Sequence, residues 1–204
     1  MKIASLVLAS SLFALPIQEA IAGLVGTDLS LSTLGQLTPT SQQFTSSFPR
    51  IARVDQTTVE FPDVSSLFNP NDPKPPTFGS LVNTWIDAGD NYIEIDFDSA
   101  GSGVFASAFQ NTYIFLFSSQ ALATITGATI NTSVTTLGLS QSDVQFAGNR
   151  LFVNVEGLPF NPASFARIDL VVEGGPPPVP EPGSLALLAI GVTTVLTLVK
   201  SKRS

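Results

Sequence analysis

Val144-Gln145-Phe146-Ala147-Gly148-Asn149-Arg150-Leu151-Phe152-Val153 is two alternating runs joined by a Gly-Asn pair. A two-residue turn of this kind between strand-like runs reads as a β-hairpin with a type II′ or I′ turn. Setting Ala147 opposite Arg150 puts Phe146 across from Leu151 and Val144 across from Val153. Those four side chains then share one face, which Val155 continues, while Gln145, Phe152 and Asn154 take the other. A slip of one residue would scatter the apolar set over both faces, so the pattern specifies its own register.

The same period of two recurs outward from the hairpin. Tyr92–Asp98 alternates Ile93, Ile95 and Phe97 with Glu94, Asp96 and Asp98, as a half-buried strand does. Tyr113–Phe117 is a continuous apolar run, expected to be a strand covered on both faces. Leu122–Ile130 is rich in Thr and Ile, with Gly127 as the expected bulge. Asn161-Pro162-Ala163-Ser164 has the look of a cap followed by one helical turn. Ile168–Val172 closes the region as a strand. Upstream, 23–77 is rich in Ser, Thr, Gln and Pro, with one expected strand over Val54–Phe61. The prolines of Asn69–Pro76 exclude helix and central strand and mark a soft boundary. Short strands between turn signals predict a mainly β chain built as an antiparallel β-sandwich. The expected organisation is a signal peptide over 1–22, an N-terminal segment with its linker over 23–77 and a β-rich ectodomain over 78–173. A Gly/Pro tether over 174–179 and a tail over 180–204 follow.

The chain has neither Cys nor His. That removes disulfides, thiol nucleophiles, Cys/His metal sites and the usual base of a serine triad. Its net charge is −7, and the two ends hold Lys2, Lys200, Lys202 and Arg203 against Glu19 and Glu181, so the rest is more acidic still. An acidic surface repels phosphates and argues against a nucleic-acid partner. Between the ends, roughly 155 residues are enough to bury a core.

Both ends read as targeting segments. Met1-Lys2, the apolar run Ile3–Leu15, Pro16 and the small residues Ala20 and Ala22 have the order of a secretory signal peptide, cut by signal peptidase before Gly23. At the other end Val179-Pro180-Glu181-Pro182 precedes the uncharged stretch 185–199, followed by Lys200, Lys202 and Arg203. The stretch is at the short end of a membrane-spanning helix. Basic residues stay on the cytoplasmic side, so the precursor is expected in the inner membrane with its C-terminus inside. The flanking prolines hold Glu181 in an extended segment.

This order of motif, apolar helix and basic end resembles the PEP-CTERM sorting family. The resemblance implies that an exosortase recognises Val179, Pro180, Glu181 and Pro182 and cleaves there. It covers about the last eighth of the chain. Ser201 interrupts the basic end. Such a tail is also labelled after ice-binding proteins; that label belongs to the anchor. The β-rich stretch from Tyr92 to Val172 looks like the ectodomains of other short proteins with this tail, a likeness that carries no activity.

Asp87, Asp90, Glu94, Asp96 and Asp98 form the one acidic cluster. Two of them could flank a glycosidic bond, and Asp87–Asn91 could offer oxygens to Ca²⁺, although no EF-hand spacing is present. Strand alternation already accounts for Glu94, Asp96 and Asp98 as a solvated face. Thr124, Thr126, Thr129 and Thr132 lack the strict repeat of a water-ordering array, and Thr is simply favoured in strands. Trp85, flanked by Val82 and Ile86, is expected in the core; exposed, it would suit sugar stacking. Asn131-Thr132-Ser133 matches a glycosylation sequon, a chance match if the tail marks a bacterium. The expected function is a non-enzymatic, exported surface or matrix protein without a cofactor. The alternatives are a calcium- or polysaccharide-binding module and a glycoside hydrolase.

Overall fold

The computed structural model describes residues 23–46, 50–67, 81–118 and 124–173. In chain order the strands are β1 (Asp28–Gln36), β2 (Phe44–Thr45), β3 (Arg50–Arg53), β4 (Trp85–Ala88), β5 (Tyr92–Asp96) and β6 (Gly103–Val104). Then come β7 (Gln110–Ser118), β8 (Thr124–Ile130), β9 (Val144–Ala147), β10 (Arg150–Asn154), β11 (Pro159–Phe160) and β12 (Phe165–Glu173). The helical content of the described residues is two short 3₁₀ turns, Val64–Leu67 and Gln141–Asp143. None of their helices is long and apolar enough to cross a membrane.

All strand pairs are antiparallel. A six-stranded sheet runs β2-β1-β7-β10-β9, with β3 also paired to β1; a four-stranded sheet runs β4-β5-β12-β8; β6 and β11 form a small third sheet. Alternation explains the layering. From the larger sheet Leu29, Leu31, Phe115, Phe117, Leu151 and Val153 point inward, and from the smaller one Ile86, Ile93, Ile95, Ala166 and Ile168 do; all belong to one core cluster. Burying a side chain of this size contributes about 1.5–3 kcal/mol. At one end Phe97, Phe105, Phe160 and Tyr113 pack edge to face or tilted, with Phe105 and Phe160 centroids 4.9 Å apart. Burial pushes the Tyr113 hydroxyl up to about 12.

The hairpin adopts the register its pattern sets: Ala147 opposite Arg150, Phe146 opposite Leu151, Val144 opposite Val153. Gly148 has φ +60, and among the described residues none other than glycine has a positive φ, so the turn is of the II′ kind and I′ is excluded. The turn also joins the sheets. Phe117 donates its backbone N–H to the Asn149 carbonyl at 2.9 Å, and Ile125 donates to the Gly148 carbonyl at 2.8 Å. Val144, Leu151, Val153 and Val155 are buried as expected, but Phe146 is 41% exposed. It sits on the edge strand beside the turn, where the facing sheet does not cover it.

Other expectations need correction. Val54–Phe61 is not a strand. The Asp55 carboxylate accepts the backbone N–H groups and hydroxyls of Thr57 and Thr58, which folds the chain into a turn. Phe61 then makes a single bridge to Ile86. In Tyr113–Phe117 one face is buried, but Ile114 and Leu116 on the other are only half-buried. Asn161–Ser164 is a hydrogen-bonded turn, Ser164 N–H to Asn161 carbonyl at 2.8 Å, and makes no helix. The bulge in β8 falls beside Gly127: Val171 pairs with Gly127 and Val172 with Ile125, leaving Thr126 as the extra residue. β1 was not anticipated. It pairs with β7 along its whole length, Leu29 meeting Phe117 and Leu31 meeting Phe115. The proline-rich stretch Asn69–Pro76 lies outside the described residues.

Candidate functional site

The outer face of the four-stranded sheet gathers most of the acidic cluster. Register places Trp85 beside Asp96 and Asp96 beside Phe165; one step along, Asp87 stands beside Glu94 and Glu94 beside Arg167; Tyr92 stands beside Asp169. The chain at Gln56–Val59 forms a wall, and the result is an open cleft of about 310 Å³ lined by Trp85, Asp87, Glu94, Asp96 and Phe165. Trp85 is 39% exposed. Its expected place in the core is corrected: Ile86 takes the inward position on β4 and is fully buried, so the alternation sends Trp85 outward.

Charge pairing divides the carboxylates. Arg167 donates through Nη1 to Glu94 Oε1 and through Nε to Asp169 Oδ1, both at 2.8 Å, and its guanidinium lies 4.0 Å over the Tyr92 ring. Asn131 Nδ2 donates to Asp169 Oδ2 at 2.9 Å. The hydrogen bond to Asp169 comes first among the causes that raise the Arg167 pKa. One guanidinium offsets only one of these two charges, so the Glu94–Arg167–Asp169 group stays net negative, and Asp87 and Asp96 add to the negative field of the cleft. Asp96 accepts the backbone N–H of Asp98 at 2.8 Å, and Tyr92 donates its hydroxyl to Asp87 Oδ2 at 3.4 Å. Gly89 leaves room for Tyr92, since a Cβ there would sit 2.1 Å from the ring.

Glu60 supports this arrangement from within the fold. It is 5% exposed, and its two oxygens accept the Asp55 N–H at 3.0 Å and the Ala88 N–H at 2.7 Å, tying the wall to β4. Burial raises its pKa above the ordinary carboxylate range, and the nearby Asp87 charge adds to this. Burial likewise raises Asp87, against hydrogen bonds from Tyr92 and Glu60. Burial and the charges of Asp87 and Glu94 raise the Tyr92 hydroxyl.

An exposed indole face beside carboxylate acceptors is the chemistry that receives the apolar face and hydroxyls of a sugar ring. Among the described residues no three carboxylates converge as metal ligands. Asp90 turns instead to the start of the described chain, where its Oδ1 accepts the Val25 N–H at 3.3 Å. Thr124, Thr126 and Thr129 are exposed on β8, but the bulge at Thr126 breaks their spacing. Asn131 of the sequon is engaged with Asp169 and accepts the Ser133 N–H. Two functional neighbours escaped the sequence reading. Arg167 was legible from the alternation Phe165-Ala166-Arg167-Ile168-Asp169, which puts it on the outer face. Nothing in the sequence marks Glu60 as buried.

The signal-peptide positions Ala20 and Ala22, the motif Val179–Pro182, the expected membrane helix 185–199 and the basic residues Lys200, Lys202 and Arg203 lie outside the described residues. A family model described as the PEP-CTERM protein-sorting motif matches residues 178–203. The tail is thus a PEP-CTERM sorting tail. No curated protein and no solved structure matches the chain.

Proposed function

We propose that this chain is an exported, non-enzymatic surface or matrix protein whose tail holds the precursor in the membrane until an exosortase cuts it at Val179–Pro182. The observation that carries the reading is the sorting motif over residues 178–203. Glu181 is the motif's one charge, set in the sequence between two prolines, and serves as the specificity handle. Signal peptidase acts first, after Ala22. Lys200, Lys202 and Arg203 keep the C-terminus in the cytoplasm.

The test is a membrane-fraction blot with a tag placed after Gly26. Glu181→Gln keeps the shape and removes the charge; Pro182→Ala keeps the charge and relaxes the chain. Both are expected to accumulate a membrane-bound precursor. Processing of both variants at the normal rate would leave 185–199 a plain anchor.

A second reading, an extracellular polysaccharide-binding module, is favoured by one specific observation: Trp85 stands exposed in an acidic cleft rather than in the core. Calorimetry of the full chain with polysaccharides tests it. Heat that disappears in Trp85→Ala supports it, and no heat with any polysaccharide removes it.

A further inference from the structure

A second and larger cleft lies on the outer face of the six-stranded sheet, about 580 Å³ in volume. That is within the roughly 300–1,000 Å³ of ligand clefts. Its floor follows from register. Tyr113, Leu151 and Val153 point inward, so Ile114 and Phe152, which are paired with each other, point outward, and Leu34 lies one step along, opposite Thr112. These three apolar side chains are half-buried. Phe109 stands at the rim, 46% exposed.

The rest of the lining is polar, and amides are its largest share. Gln43, Gln110, Gln145 and Asn154 surround the apolar floor. The charged lining residues are Asp143 and Arg150, one of each sign, so this cleft is near neutral on a chain of net charge −7. Gln110 carries an independent signal: its Oε1 is buried with no hydrogen-bond partner. Gln36, its register partner, cannot serve it. Both hydrogen bonds from Gln36 Nε2 go to the carbonyls of Pro39 and Ser41, and its own oxygen accepts from Gln43. A buried acceptor of this kind takes its donor from an ordered water or from a bound ligand. A hydroxyl seated in the cleft supplies one once the terminal amide turns toward it.

We infer that this cleft binds an uncharged polysaccharide chain, lying across β1, β7 and β10. The apolar floor and Phe109 match the C–H faces of hexose rings, and the amides match their hydroxyls. The balanced pair Asp143 and Arg150 gives neither an anionic nor a cationic glycan an advantage. A peptide would pair with a strand edge rather than lie on a sheet face. A lipid would meet a polar rim. The inference does not rest on the Trp85 cleft, which is on the other sheet.

The test is affinity electrophoresis of the full chain in a sugar-free detergent, through gels containing soluble neutral glucan, mannan or galactan, with alginate and chitosan as charged comparators. At least one neutral polymer should retard the protein. Phe109→Ala and Gln145→Ala, both at exposed positions, should each weaken that retardation about tenfold while the melting temperature holds. Trp85→Ala should leave it unchanged. No retardation by any neutral polymer overturns the inference. So does retardation that survives both cleft variants or vanishes with Trp85→Ala; the latter would support the other cleft instead. Binding to alginate or chitosan alone would also overturn it.

Discussion

Glu60 shows how one buried carboxylate can hold a site it does not line. Its two oxygens satisfy two backbone N–H groups from separate segments, at Asp55 and Ala88. Glu60→Ala leaves both donors without a partner, at about 1–3 kcal/mol each. The expected loss is about 2–6 kcal/mol in a denaturant titration, together with freer motion of the wall at Gln56–Val59. Gly148 tests a different quantity. An added Cβ there meets nothing within 4 Å, so Gly148→Ala carries only the cost of its φ of +60. That cost is about 1–3 kcal/mol, because the first central position of a type II′ turn is open essentially to glycine alone, with the fold otherwise unchanged by circular dichroism. A loss much beyond this would mean that the turn conformation differs from the one described.

At the scale of elements, the hairpin is the most exposed to test. Val153 is fully buried and faces the core. Val153→Asp places an unpaired charge there, at a cost of about 3–5 kcal/mol, much of the stability of a domain this size. The β signal in circular dichroism should collapse; a folded variant would refute the inward face. This hairpin, β5 and β12 were legible because each alternates apolar and polar residues with period two. β1 was not read, although Leu29 and Leu31 alternate with Ser30 and Ser32, because the surrounding Ser, Thr and Pro suggested an irregular segment. Val54–Phe61 failed for the opposite reason: its composition suits a strand, but Asp55 binds the local backbone and bends it. Trp85 was misplaced because its apolar neighbours outweighed the alternation. The Trp85 cleft was legible only in its acidic half, since Arg167 and the wall at Gln56–Val59 come from distant sequence.

At the scale of the whole molecule, the raised carboxyls predict an unusual response to acid. A carboxyl whose folded pKa lies above its unfolded one binds its proton more tightly in the folded state. Its contribution is therefore present at low pH and is lost as pH rises through the raised value. Burial places Glu60 and Asp87 in this class. Asp55 opposes them: the hydrogen bond from the Thr57 backbone lowers its pKa, so its contribution is lost as pH falls. The melting temperature of the full chain should rise as pH falls through the raised values of Glu60 and Asp87, and fall again in stronger acid where Asp55 takes up its proton. Asp87→Asn should flatten the rise; an unchanged slope would show that Asp87 titrates normally. The place of β12 in its sheet has a consequence for synthesis. β12 is the last described strand, yet it stands between β5 and β8, with Ile168 meeting Ile93 on one side and Ile130 on the other. Neither neighbour finds that partner until the chain has emerged as far as Glu173, so the four-stranded sheet is the last part able to assemble. The sorting motif begins only a few residues later. A chain broken off before Phe165 lacks both the strand that completes its fold and the tail that would submit it for processing.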